Sequence, residues 1–178
     1  IDDTSALPGE LLSMNDLVVE QSADEIAALK MPFFVSWRAR KWLAPCPNCH
    51  YLYTTYTGPK FACDIRHRLW EGATVTYVAM QIAFYLGFHQ VILIGVDHNF
   101  VSKGEPNKTV VSNGDDQNHF HPDYFGKGFR WQLPDLETSE RSYGLARKVF
   151  EKHDREILDA TARGKLTVFP KVDYEKLF

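Results

Sequence analysis

Two histidines separated by one residue, His119 and His121, are the side chains of this sequence best suited to chemistry near neutral pH. In an extended segment both would face the same side, because side chains alternate with a period of two. An imidazole there can act as a general base or acid. The pair could instead bind a metal ion with Asp123 as a third ligand, or lie on the surface or in the packing of a polar loop. The residue pattern leaves these three interpretations open.

A helix and a strand come before the segment that carries the histidines. Apolar residues recur at helical spacing across 74–86, and Gly87 follows as a stop signal. Residues 91–96 form an uninterrupted apolar run, which predicts a strand covered on both faces. A buried helix that leads into a buried strand is half of a doubly wound α/β unit.

Polar residues follow the predicted strand directly. In open α/β sheets ligands bind beyond the carboxyl ends of the strands, and Asp97, His98 and Asn99 occupy that position. Asn99 and Thr74 could donate hydrogen bonds to a nucleotide. The long connection 98–134 has little regular pattern, so we predict that it is an active-site loop.

The remaining pattern alternates between the periods of strands and helices. It predicts an α/β fold of Rossmann-like type, a mostly parallel sheet with helices on both faces, in a single domain that covers residues 1–178. Neither a dinucleotide fingerprint nor a P-loop occurs in the sequence. The further predicted strands are 17–20, 32–37, 51–57 and 155–159. The further predicted helices are 22–29 and 135–152, and we expect Asp135 to cap the second of them.

Composition limits the classes of partner. The 178 residues are 44% hydrophobic and 13% aromatic, which is enough for a folded core. The net charge is −3 and the Lys and Arg residues are scattered, so we expect no nucleic-acid partner. No apolar run reaches the ~18 residues that a transmembrane helix needs. Three cysteines, an odd number, do not suggest a disulfide framework, and with no signal peptide visible the predicted location is the cytoplasm.

A C-x-x-C motif formed by Cys46 and Cys49 is the other chemical feature. With Cys63 and His67 it offers four candidate ligands for a structural zinc ion. A redox pair and free cysteines in an inserted loop are the other interpretations, and the neighbouring prolines are unusual for a redox motif.

Three segments of the sequence resemble those of a known family. GATVTYVAMQIAFYLGFHQVILIGVDHNF, NHFHPDYFGKG and DATARGKLTVFPKVDYEKLF resemble the bacterial sialyltransferase-like glycosyltransferases, which are similar to a domain of archaeal hydroxymethylpterin diphosphokinases and flagellar accessory proteins. The resemblance covers residues 72–178 well and 15–37 loosely. It implies a CMP-sugar donor, a glycan acceptor and no required cofactor. It also implies a role in bacterial lipopolysaccharide synthesis. The protein would then lie in the cytoplasm or associate peripherally with the inner face of the membrane.

The resemblance also implies roles for single residues. The family's D-x-x-H loop matches Asp116 to His119, which makes His119 the general base that deprotonates the acceptor hydroxyl. Thr74 aligns with a family threonine near the nucleotide. No tyrosine follows the V-D pair, so phosphate contacts fall to Asn99, Lys103 or His98. The full set of expected substrate and nucleotide contacts is Thr74, Asp97, His98, Asn99, Lys103, Asn118, His121 and Tyr124.

One family motif has no counterpart here, the Gly-Asn-Gly-Pro-Ser-Leu loop that contacts the nucleotide. We therefore expect that an N-terminal portion of the family fold is missing from this chain. Two alternatives to the transferase stay open. One is a Mg²⁺-dependent diphosphokinase-like enzyme that uses Asp97, Asp115, Asp116 and Asp123, and the other is a non-catalytic binding module stabilised by zinc.

Overall fold

The computed structural model describes residues 12–99, 104–114 and 126–177, which form a mixed α/β structure with small sheets. The chain divides into two compact units, Ile1–Gly87 and Phe88–Phe178. The prediction of a single domain and of one Rossmann-like sheet with helices on both faces stays a prediction.

Four strands of the first unit form one parallel sheet. These strands are β1 (Leu12–Ser13), β2 (Phe33–Ser36), β3 (Cys49–Thr55) and β4 (Arg68–Trp70). They are hydrogen-bonded in the order β1-β2-β3-β4, and every neighbouring pair is parallel. The carboxyl ends of all four strands therefore lie along the same edge of this sheet.

Two short helices, α1 (Asp16–Gln21) and α2 (Ala23–Ala27), connect β1 to β2. The prediction of a strand at 17–20 is wrong, although its valines favour strands. The side chain of Asn15 accepts a hydrogen bond from the backbone N–H of Leu17 at 2.8 Å and so caps α1. The helix also buries Val19 in the core formed with β2, and this tertiary packing outweighs the local propensity.

The helix α3 (Val75–Tyr85) follows β4 and confirms the prediction for 74–86. Its buried residues Val78 and Ile82 pack in one cluster with Leu52 of β3 and Leu69 of β4. A 3₁₀ turn, Trp37–Lys41, connects β2 to β3.

The second unit has a pair of parallel strands, β5 (Gln90–Leu93) and β8 (Glu156–Asp159). The long helix α4 (Leu136–Lys152) comes before β8 and confirms the predicted helix. Asp135 caps α4 as predicted, because its carboxylate accepts a hydrogen bond from Thr138 N at 3.0 Å. The buried apolar residues of this unit are Leu93, Leu133, Tyr143, Ala146, Phe150, Ile157, Ala160, Leu166 and Phe169.

Two short antiparallel strands, β6 (Thr109–Val111) and β7 (Arg130–Gln132), lie within the segment that we predicted to be a long loop. The predicted strand at 91–96 ends earlier than expected. Ile94 is 61% exposed and Gly95 takes a φ of 73°, so the apolar run continues past the end of β5. A 3₁₀ turn, Tyr174–Lys176, follows Asp173 near the end of the chain. Within the described ranges no helix has the length and apolar character to cross a membrane.

Candidate functional site

The edge where the four parallel strands end carries an ion-pair network that we call the Arg38 cluster: Asp16, Arg38, Thr54 and Glu71. Asp16 follows β1, Arg38 follows β2, and Glu71 follows β4. Thr54 is the second-to-last residue of β3. Arg38 Nε donates to Asp16 Oδ2 at 2.7 Å, and Arg38 Nη2 donates to Glu71 Oε1 at 2.5 Å. Thr54 Oγ1 donates to the same Glu71 oxygen at 2.6 Å. The network joins residues far apart in the sequence.

The Arg38 cluster is partly shielded from water. The side chains of Arg38, Asp16 and Glu71 are 34%, 25% and 28% exposed. Partial burial by itself would lower the pKa of the Arg38 guanidinium, but the hydrogen bonds and negative charges of Glu71 and Asp16 outweigh it, so that pKa is raised. Two carboxylates against one guanidinium leave an excess of negative charge.

Two carboxylate oxygens of this cluster have no hydrogen-bond partner among the described residues. Asp16 Oδ1 is buried and has no hydrogen-bond partner, and within the described residues Glu71 Oε2 accepts no hydrogen bond. A carboxylate oxygen without a partner accepts from hydroxyl groups. Since Asp16 Oδ1 is buried, Glu71 Oε2 is the oxygen that can accept from a hydroxyl of a ligand such as a ribose or another sugar.

Exposed aromatic rings flank the same strand ends. Trp37 directly follows β2 and is 50% exposed, while Tyr56 directly follows β3 and is 76% exposed. The Arg38 guanidinium carbon lies 5.5 Å from the centre of the Tyr56 ring. Exposed planar faces beside hydroxyl-binding carboxylates are suited to stacking against a base or a sugar ring.

Thr74, predicted to contact a nucleotide, lies just after the Arg38 cluster. Its backbone N–H donates to Glu71 O at 3.1 Å, and its Oγ1 accepts from Thr76 N at 3.2 Å as the N-cap of α3. Gly72 and Ala73 both take positive φ values, 57° and 63°, and turn the chain sharply from β4 into α3. Thr74 thus has a structural role at a helix N-terminus, which is also an end that attracts anions.

The residues predicted at the end of β5 differ in their environments. Asp97 and Asn99 are exposed, and the backbone oxygen of Asp97 accepts a hydrogen bond from Lys165 N at 2.8 Å. The side chain of His98 is only 9% exposed, and its Nε2 lies 3.2 Å from Glu140 Oε1. Asp97 and Asn99 are therefore open to a ligand, while His98 is packed within the second unit.

A buried carboxylate that the sequence analysis missed ends β8. Asp159 is fully buried, its Oδ2 accepts from Lys171 Nζ at 2.6 Å, and its Oδ1 accepts from Thr161 N at 2.8 Å. Thr161 Oγ1 in turn accepts from Val96 N at 3.0 Å. Asp159 therefore fixes the loops that follow β5 and β8. Asp159 could have been found from the sequence, because it is an Asp at the end of an apolar strand, the same feature that drew attention to Asp97.

Asp16, Arg38 and Glu71 were also missed, and for Asp16 the reason is specific. The incorrect strand at 17–20 placed Asp16 before a strand instead of after one. Once β1 is placed at Leu12–Ser13, all three are polar side chains that lie one to three residues beyond the end of a strand, the kind of position that drew attention to Asp97.

Several predicted site residues lie outside the described residues: Lys103, Asn118, His119, His121 and Tyr124, together with Asp115, Asp116 and Asp123. Their predicted roles stay predictions.

The four candidate zinc ligands are all described, and the structure does not bring them together. Within the described part of the chain no group of three or more His, Cys, Asp or Glu side chains could hold a metal ion. Cys46 and Cys49 form a tight turn, with Cys49 N donating to Cys46 O at 3.0 Å, whereas Cys63 and His67 belong to the connection between β3 and β4. Burial raises the pKa of the Cys49 thiol, which disfavours the thiolate that zinc needs.

Comparison of the chain with protein-family models, curated proteins and solved structures finds no match to any of them.

Proposed function

We propose that this protein is a nucleotide-sugar-dependent glycosyltransferase whose donor binds at the Arg38 cluster. The observation that carries the proposal is the position of this cluster, at the shared carboxyl edge of four parallel strands. Ligands of α/β sheets bind at such edges, and an acidic side chain there commonly accepts from ribose hydroxyls. The proposal extends to a Rossmann-like fold for the whole protein.

The chemistry of the cluster favours a hydroxyl-rich donor. The Oε2 atom of Glu71 would accept from a hydroxyl, and the exposed ring of Tyr56 would stack on the base. The phosphate would lie towards the N-terminus of α3, beside Thr74, where backbone dipoles favour negative charge. The resemblance suggests cytosine as the base and a sialic-acid-like sugar.

The transfer step needs a base, and on the resemblance alone we propose His119 for it. The acceptor hydroxyl attacks the anomeric carbon and gives its proton to the imidazole, while the bond between that carbon and the phosphate oxygen breaks and CMP leaves. Positioned proton transfer of this kind is worth ~10²–10⁴-fold in rate.

A thermal-shift screen with nucleotides tests donor binding. The chain would be heated with cytidine, uridine, guanosine and adenosine phosphates, with and without Mg²⁺. A ligand at ~100 times its dissociation constant adds ~2.7 kcal/mol of stability, which is readily detected. Stabilisation by CMP without metal supports the proposal. This stabilisation should be smaller in Glu71→Gln and unchanged in the exposed control Glu105→Gln. Stabilisation only by a triphosphate with Mg²⁺ would refute it in favour of the diphosphokinase alternative.

Transfer activity tests the assignment of the base. His119→Ala should lose ~10²-fold or more of the transfer rate and keep its affinity for CMP. The matched control is His89→Ala, since His89 is an exposed histidine of the second unit that we assign no role. Equal activity of the two variants would show that His119 is not the base.

A further inference from the structure

A basic pocket lies on one face of β3 and β4, separate from the Arg38 cluster. Tyr53 pairs with Arg68 across the two strands, and Trp70 is two residues further along β4, so these three side chains project to the same side. Leu52 and Leu69 project to the opposite side, where they are buried. The pocket has a volume of about 540 Å³ and is lined by Tyr53, Arg66, His67, Arg68 and Trp70.

The charges in this pocket are unequally paired. Arg66 is held by Asp64, with Arg66 Nη2 donating to Asp64 Oδ2 at 2.6 Å and Nε donating to Oδ1 at 3.0 Å. These hydrogen bonds lower the pKa of Asp64 to about 2, so its charge offsets that of Arg66 at neutral pH. Within the described residues Arg68 has no carboxylate partner, and its guanidinium carbon lies 5.4 Å from the centre of the Tyr53 ring. Arg68 is therefore an exposed cation held in place by an aromatic ring.

The aromatic rings give the pocket its second property. The Tyr53 side chain is 57% exposed, and Trp70 is half-buried with the ammonium of Lys60 at 5.9 Å from its ring centre. Exposed aromatic faces stack on flat apolar surfaces, including the C–H faces of sugar rings. A guanidinium pairs with carboxylate or phosphate groups through two parallel hydrogen bonds.

We propose that this pocket binds an acidic carbohydrate, a sugar ring that carries a carboxylate or a phosphate. The ring stacks on Tyr53 and Trp70, and the anionic group pairs with Arg68. Pockets of ~300–1,000 Å³ hold ligands of small-molecule size, so one or two sugar rings fit. A nucleic acid fits the charges poorly, because its many phosphates would meet a chain whose net charge is −3. This inference is independent of donor binding at the Arg38 cluster.

Calorimetric titration of the full chain tests the proposal. The probes are a glucuronate-containing disaccharide, glucose 6-phosphate and the neutral disaccharide maltose. At least one acidic probe should bind at least tenfold more tightly than maltose, and added salt should weaken that binding. The comparison of the two acidic probes distinguishes recognition of a carboxylate from recognition of a phosphate.

Two matched variants locate the binding. Arg68→Gln should weaken the acidic probe at least tenfold, while Arg40→Gln should leave it unchanged. Arg40 is a suitable control because it also stacks on an exposed aromatic ring, 4.8 Å from the centre of Trp37, but lies outside the pocket. Circular dichroism checks that both variants fold.

Three results would overturn the proposal. The first is no binding of either acidic probe at about 10 mM, and the second is equal affinity of Arg68→Gln and Arg40→Gln for the acidic probe. The third is tighter binding of single-stranded DNA than of both acidic sugars. Binding of CMP, measured on the same samples, separates this proposal from the transferase. Acidic sugars that bind to a protein unable to bind CMP would support the pocket and contradict the donor site.

Discussion

Replacing Arg38 by methionine removes the cation on which the Arg38 cluster depends. Methionine retains an unbranched apolar side chain, so the main loss is the guanidinium and its hydrogen bonds to Asp16 and Glu71 at 2.7 and 2.5 Å. Two carboxylates then stay together at the sheet edge without a positive partner. We expect the free energy of unfolding to fall by about 2 kcal/mol.

This magnitude follows from the exposure of the groups. Two unit charges 4 Å apart attract by ~4 kcal/mol at an effective dielectric constant of 20 and by ~1 kcal/mol in water. Breaking a fully buried pair costs about 3–5 kcal/mol, whereas exposed pairs contribute roughly 0.2–1 kcal/mol. The side chains of Arg38, Asp16 and Glu71 are 34%, 25% and 28% exposed, which places this network between the two limits.

Urea denaturation followed by tryptophan fluorescence measures the effect. Arg40→Met is the matched control, because among the described residues Arg40 makes only a hydrogen bond to Trp37 O at 2.9 Å and a ring contact. It should change stability by under about 0.5 kcal/mol. A double-mutant cycle adds Glu71→Gln, which should cost less stability in the Arg38→Met background than in the native chain. Equal stability of Arg38→Met and Arg40→Met, or strict additivity in the cycle, would refute the argument.

Two further predictions concern side-chain hydrogen bonds of the first unit. Tyr51→Phe removes the donor to Leu43 O at 2.6 Å and should cost about 1 kcal/mol. Burial, with a smaller effect of a neighbouring thiol, raises the pKa of Tyr51 from 10.0 to about 12, so its stabilising contribution is complete below pH 10 and is lost as the pH rises to 12. Urea midpoints should fall more steeply over that interval in the native chain than in Tyr51→Phe, and parallel curves would contradict this. Gln81→Met leaves buried groups without partners, among them Ala62 N, which donates to Gln81 Oε1 at 3.0 Å. This change should cost ~2–4 kcal/mol, against little change for the exposed Gln90→Met. Similar urea midpoints for the two variants would exclude a stabilising role for Gln81.

The sequence by itself determined the elements with strong local signals. The helices α3 and α4 follow from apolar residues at helical spacing. The capping role of Asp135 follows from its position just before such a pattern. The strands β2, β3 and β8 were also predicted, since runs of apolar or Tyr and Thr residues favour extended chain. These signals act over a few residues, so no tertiary contact is needed to recognise them.

Tertiary structure decided what local patterns could not. Residues 17–20 favour a strand locally, but capping by Asn15 and burial of Val19 make them helical. The Arg38 cluster depends on the parallel order of four strands, because only that order brings residues 22 and 33 positions away from Arg38 into hydrogen-bond contact with it. Hydrogen bonding between strands sets this order, and the spacing of residues along one strand carries no record of its neighbours. The types of polar residue at the strand ends could therefore be read from the sequence, whereas their assembly into one network required the fold.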